Sequence, residues 1–71
     1  MRTIFVQRFD ESPREVQVAD NATVRQAFEI AGIRIGESEQ INAMSNAADI
    51  DSEEIVRDGE EYVVVRNHQL A

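Results

Sequence analysis

The chain has 71 residues, a formal net charge of −7 and no cysteine. This length fits one small domain, and the missing cysteines exclude disulfides, thiolate zinc sites and a cysteine nucleophile. Its fourteen acidic residues disfavour binding to phosphate backbones or anionic lipid, because like charges repel. The sequence shows neither an apolar stretch of membrane-spanning length nor the apolar segment of a signal peptide, which predicts a cytoplasmic protein.

Two strands separated by a turn are predicted near the N-terminus. Residues 3–9 are rich in strand formers, and residues 14–19 alternate so that Val16 and Val18 share one face. The intervening Asp10-Glu11-Ser12-Pro13 is a turn signal, because proline interrupts a β-ladder. These features predict a β-hairpin with a loop of about four residues.

A helix from Val24 to Ala31 is the most clearly marked element. Thr23 and Gln26 have the spacing of a capping box, and Gly32 stands where a left-handed C-cap belongs. The apolar residues of the segment recur at helical spacing and predict one buried stripe, formed by Val24, Ala27, Phe28 and Ala31.

The stretch from residue 34 to residue 51 has the weakest secondary-structure pattern in the sequence. It favours short strands at residues 40–44 and 48–50, with a helix from Ile41 to Ala48 as the alternative. The segment that begins at Asp51 predicts one helical turn, because aspartate is a good N-cap and further acids follow it.

The last strand is predicted at residues 61–66, after an Asp58-Gly59 turn. Its Tyr62-Val63-Val64-Val65 run is apolar in both phases, as is Ile4-Phe5-Val6 in the first strand. Strands that are apolar on both faces are usually central and often parallel to a neighbour. We therefore expect an α+β fold of the β-grasp type, with a mixed sheet of about four or five strands and one helix on one face. The domain would comprise residues 1–66, followed by a polar tail at residues 67–71.

The ordered set of motifs resembles the ubiquitin-like superfamily. Thr3-Ile4-Phe5-Val6 is similar to the opening of ubiquitin. Asn21-Ala22-Thr23-Val24 and Ala31-Gly32-Ile33 are similar to the helix boundaries of ubiquitin-like proteins and of the sulfur carriers ThiS and MoaD. The segment from Val56 to Val64 resembles the Asp-Gly turn and last strand of ThiS, MoaD and RnfH-like proteins. The resemblance covers nearly the whole chain and implies the β-grasp fold.

The C-terminal residues depart from the conjugated members of this superfamily. Those proteins end in Gly-Gly, whose carboxylate an activating enzyme adenylates, whereas Asn67-His68-Gln69-Leu70-Ala71 follows the last strand here. No glycine follows Gly59, and the chain lacks lysine, the acceptor in isopeptide chains. The resemblance therefore implies the fold without the carrier chemistry, and we expect neither an adenylate nor a thiocarboxylate at Ala71.

No constellation of residues predicts catalysis or metal binding. Four acids have the spacing of a calcium loop, namely Asp49, Asp51, Glu53 and Glu60. However, Glu54 occupies the place in that loop that requires glycine. His68 is the single histidine, no serine has a local base, and no glycine-rich phosphate loop is present. We expect a protein that is not an enzyme and holds no metal or other cofactor.

The candidate site is the sheet face opposite the helix. The resemblance implies that Ile4 and Val6 face the helix, which leaves the residue between them on the other side. In the last strand the glycine-turn pattern favours Tyr62 and Val64 inward. The predicted patch has an apolar centre framed by arginines and comprises Phe5, Val63, Val65, Arg8 and Arg66. Such a patch is typical of a protein-binding surface, although single exposed apolar residues are also ordinary.

Three functions fit these observations. The first is a stand-alone, non-conjugated ubiquitin-like module that binds another protein as an adaptor, inhibitor or assembly factor. The second is a degenerate sulfur-carrier homologue that docks on an activating enzyme. The third is an acidic inhibitor, of the kind some phages encode, that mimics nucleic acid on a basic protein. In each case we expect a monomer whose partner is a protein, with no direct binding to nucleic acid or membranes.

Overall fold

The computed structural model describes residues 1–45 and 48–66. These ranges form β1 (Arg2–Arg8), β2 (Arg14–Val18), α1 (Val24–Ala31), β3 (Glu39–Ala43), β4 (Ala48–Ile50) and β5 (Glu61–Arg66). The predicted polar tail, residues 67–71, lies outside the described residues. None of the helical structure within the described ranges is long and apolar enough to span a lipid bilayer.

The strands form one mixed sheet in the order β2-β1-β5-β3-β4. Strands β1 and β5 are parallel neighbours, with Phe5 opposite Glu61, and all other pairs are antiparallel. Both of these strands lie inside the sheet, as their apolar character on two faces predicts. The mixed sheet and helix α1 confirm the expected α+β class and β-grasp arrangement.

Helix α1 has the predicted bounds, because its end signals are local. The Thr23 hydroxyl accepts a bond from the Gln26 N–H at 3.2 Å, and the Gln26 side chain accepts one from the Thr23 N–H at 3.0 Å. At the other end Gly32 has φ 77°, in the left-handed region that favours glycine. Its N–H donates to the Glu29 carbonyl at 3.1 Å, so the last turn is closed by main-chain bonds.

The capping box gives a first testable prediction. We expect Thr23→Ala to lower the free energy of unfolding by about 1 kcal/mol, because a helix amide loses its acceptor. Thr23→Ser keeps the accepting oxygen and should retain most of the stability. Urea unfolding of both variants measures the difference, and an equal loss in both would contradict the capping role.

The core lies between α1 and one face of the sheet. It contains apolar residues from α1 and four of the five strands, including Ile4, Val6, Val18, Val24, Ala27, Phe28, Ile41, Tyr62 and Val64. The prediction that Ile4, Val6, Tyr62 and Val64 face the helix is therefore confirmed. In the predicted helix stripe, Ala31 is half-buried at the edge of this core.

Residues 39–43 and 48–50 form two short strands, so the alternative of a helix from Ile41 to Ala48 is wrong. Ile41 and Ala43 are buried while Asn42 between them is half-buried, which is the alternation of a strand with one face in the core. Pairing with β5 and β4 on either side stabilises β3 in spite of its weak strand formers.

The turn expected after Asp51 is present, although as a hydrogen-bonded turn that is not helical. The Glu54 N–H donates to the Asp51 carbonyl at 2.9 Å, which closes a single turn with no helix after it. The carbonyls of Ser52 and Glu54 instead accept bonds from the first two amides of α1, at 2.8 and 2.9 Å. These main-chain bonds attach the turn to the start of α1.

Candidate protein-binding surface

The sheet face opposite α1, here called the back face, carries the predicted apolar centre. Phe5, Val63 and Val65 alternate with residues of the helix-side core and lie outside that core. Val63 is only 8% exposed, because Gln7 and Asn42 lie directly beside it in the two neighbouring strands. Phe5 and Val65 are half-buried. The three predicted apolar residues are therefore brought together on one face.

Phe9 extends the back face beyond the end of β1. Its N–H donates to the Val64 carbonyl at 3.0 Å, just as the N–H of Phe5 donates to the Glu60 carbonyl at 3.0 Å. Because the hydrogen-bonded ladder with β5 continues, the side chain of Phe9 lies on the same face of the sheet as that of Phe5. The next step of the register places Phe9 opposite Val65. Its side chain is 57% exposed. Phe9 lies within the predicted first strand but was not among the predicted site residues, although alternation from Phe5 indicates its face.

Arg8 and Arg66 do not frame the back face, which corrects the prediction made for them. They follow Val6 and Val64 by two residues, and side chains two apart in a strand lie on the same face. Both arginines are therefore in the phase of the helix-side core.

Arg8 instead ties the end of β1 to the loop after α1 and to β3. Its guanidinium donates to the Arg34 carbonyl at 2.6 Å and pairs with the Glu39 carboxylate. Glu39 also accepts a bond from the Gly36 N–H at 2.8 Å. The hydrogen bond from Gly36 is the main cause of a lowered Glu39 pKa, and Arg8 lowers that pKa further, although burial acts in the opposite direction. The arginine has a structural role on the helix side.

The lowered pKa of Glu39 predicts an acid-sensitive contribution to stability. A carboxylate whose pKa is lower in the folded state stabilises the fold above its unfolded pKa, and this contribution is lost as the pH falls through the folded value. Below the ordinary glutamate value of 4.5, wild type should therefore lose stability more steeply than Glu39→Gln. Urea unfolding across this pH range tests the prediction, with Glu37→Gln, at an exposed position in the loop before β3, as the control. Parallel pH profiles of wild type and Glu39→Gln would contradict the role of Glu39.

The rim of the back face consists of carboxylates and amides. Glu61 lies opposite Phe5 in β5 and accepts a bond from the Gln7 amide at 2.6 Å. On the other side of β5, the Gln40 amide donates to the Asp49 carboxylate at 3.0 Å. An apolar centre inside a polar rim is the composition of many protein interfaces.

The helix side of the molecule offers a shallow groove of about 580 Å³ next to the end of α1. Its apolar lining includes Phe28 and Ile33, which are buried core residues, and Arg25 at its edge pairs with Glu53 at 3.3 Å. Across residues 1–45 and 48–66, no three acidic or histidine side chains come together in a way that would hold a metal ion. The expectation of a protein without cofactors stays a prediction.

No protein-family model and no curated protein sequence matches the chain. Among solved structures, its fold is similar to that of ubiquitin from Caldiarchaeum subterraneum, with a TM-score of 0.62 and 18% sequence identity. The match covers 99% of this chain and 98% of that chain. At this identity the likeness shows the fold and transfers no residue's role. Together with the sheet order and the capped helix α1, it shows that the chain has the β-grasp fold of ubiquitin-like proteins.

Proposed function

We propose that the chain is a protein-binding module that engages its partner through the back face. The observation that carries the proposal is the apolar row on that face, formed by Phe5, Val63, Val65 and Phe9. Helix α1 packs on the opposite side of the sheet, so this row is not part of the hydrophobic core. Contiguous apolar surface with a polar rim marks interaction sites on small soluble domains.

The back face is preorganised for binding. Its apolar side chains stand on β1 and β5, two strands that are hydrogen-bonded on both edges within the sheet. Side chains held on a rigid sheet lose little further freedom when a partner docks, which lowers the entropic cost of association. Phe9, the most exposed member of the row at 57%, is the natural anchor for a pocket on the partner. A module of this kind serves as an adaptor, an inhibitor or an assembly factor.

Site-specific photocrosslinking in cells of the source organism tests the proposal. The photoreactive residue p-benzoylphenylalanine replaces either Phe9 or Ile30, whose side chains have similar exposures of 57% and 62%. Phe9 belongs to the back face and Ile30 to α1, so the pair compares two surfaces at matched accessibility. We expect a discrete crosslinked protein from the Phe9 position and none from Ile30. Crosslinks from Ile30 alone would place the interface on the helix side and refute the proposal.

A further inference from the structure

The arginines of the sheet are confined to one of its faces. Four arginines lie in strands, all in the phase of the helix-side core: Arg2, Arg8, Arg14 and Arg66. Arg2 donates to the carbonyl of Val56, a buried core residue. Arg14 donates to the carbonyl of Ala31, the last residue of α1, at 2.8 Å. The remaining three of the seven arginines belong to α1 and to loops.

The strand carboxylates are distributed in the opposite way. Glu15 in β2 and Glu61 in β5 lie directly on either side of Phe5. Asp49 in β4 lies opposite Asn42, which shares the face of Val63. The fourth strand carboxylate, Glu39, pairs with an arginine on the helix side. Within the described strands the back face therefore combines an apolar row with three carboxylates and no cation.

We infer that the partner of the back face presents apolar side chains surrounded by lysine or arginine, an inference that rests on the proposed function. A docked surface lies well within one Debye length, about 8 Å in physiological salt, so these carboxylates act on it directly. Cations on the partner would offset the cost of desolvating the carboxylates and would speed the encounter. A second copy of the chain would bring equal carboxylates together, so charge disfavours self-association through this face.

The test uses two synthetic amphipathic helical peptides of about 18 residues with the same apolar stripe. One peptide carries lysine and arginine on its flanks and the other carries glutamate. Each is titrated into the full chain while methyl NMR signals of Val63 and Val65 are followed. We expect the basic peptide alone to shift these methyls, with an affinity that falls about tenfold or more between about 50 and about 300 mM salt.

Two double variants distinguish the effect of the back-face carboxylates on binding from the effect of the net charge of the chain. The double variant Glu15→Gln/Glu61→Gln removes two carboxylates beside Phe5, whereas Glu29→Gln/Glu37→Gln removes the same charge from exposed sites in α1 and a loop. The first should weaken binding and flatten its salt dependence more than the second.

The negative results distinguish the charge inference from the proposed function. Equal, salt-independent binding of both peptides at Val63 and Val65 would overturn the charge inference and leave the proposed function intact. Binding of the basic peptide without shifts at these methyls, equal effects of the two double variants, or no binding of the basic peptide would also overturn the inference. Photocrosslinking from Ile30 alone, by contrast, would refute the proposed function itself.

Discussion

Replacing Phe28 with alanine is expected to lower the free energy of unfolding by about 3 to 5 kcal/mol. Phe28 is the largest fully buried side chain among the described residues. Its truncation therefore leaves a cavity in the core between α1 and the sheet. Domains of this size are stable by roughly 5 to 10 kcal/mol, and the variant should therefore be close to unfolding at moderate temperature.

Urea and thermal unfolding measure this effect. Ile30→Ala changes the same helix at a position that is 62% exposed, and it should cost within about 0.5 kcal/mol. Phe28→Leu keeps most of the volume and gives a measurable intermediate if Phe28→Ala does not fold. An unchanged unfolding midpoint for Phe28→Ala would show that the helix does not pack through this residue.

Polar substitution of the back-face row should abolish most of the binding without unfolding the domain. Val65→Gln or Phe9→Gln is expected to weaken the complex with the protein crosslinked at Phe9 by about 2 kcal/mol, or roughly 30-fold. Glutamine is preferred to glutamate because a further carboxylate on a face that already has three would add a charge effect unrelated to the apolar contact.

Isothermal titration calorimetry measures the affinity, and urea unfolding should show a stability within about 1 kcal/mol of wild type. Ile30→Gln, on α1, is the control and should bind as wild type does. If Val65→Gln and Phe9→Gln both fold and both retain full affinity, the back face is not the interface.

The helix could be predicted from the sequence because its signals are local. The capping hydrogen bonds of Thr23, Gln26 and Gly32 reach residues no more than four positions away, so their pattern can be recognised without knowledge of the sheet. The apolar run of β5 is different, because both of its phases are apolar. Alternation alone does not choose between its two faces; the glycine-turn pattern favoured Val64 inward, and the packing of the sheet against α1 confirms it.

The segments that were predicted wrongly or weakly depend on distant partners. Strand β3 contains alanine and asparagine, which are poor strand formers, and it is stabilised by pairing with β5. The turn after Asp51 does not continue as a helix, and the carbonyls of Ser52 and Glu54 accept bonds from amides of α1 that lie 27 and 30 residues earlier in the chain. The local pattern of residues in the sequence does not indicate such contacts with distant segments.

The apolar centre of the back face was predicted from the sequence, whereas its rim was not. The resemblance placed Ile4 and Val6 inward and so left Phe5 on the back face, and the glycine-turn pattern left Val63 and Val65 there. Arg8 and Arg66 were predicted to frame this centre, although strand alternation places them on the helix side. Phe9 was overlooked, although the predicted strand includes it and the parallel ladder continues through it.

Methyl NMR of the domain bound to the protein crosslinked through Phe9 tests the central claim most directly. Neighbouring valines of β5 point to opposite faces, so one strand contains both the probe and its control. We expect large shifts of the Val63 and Val65 methyls, with much smaller ones at Val64 and at Ile30 on α1. Large shifts at Ile30 with unchanged Val63 and Val65 signals would show that the partner binds the helix side and would contradict the assignment of the back face.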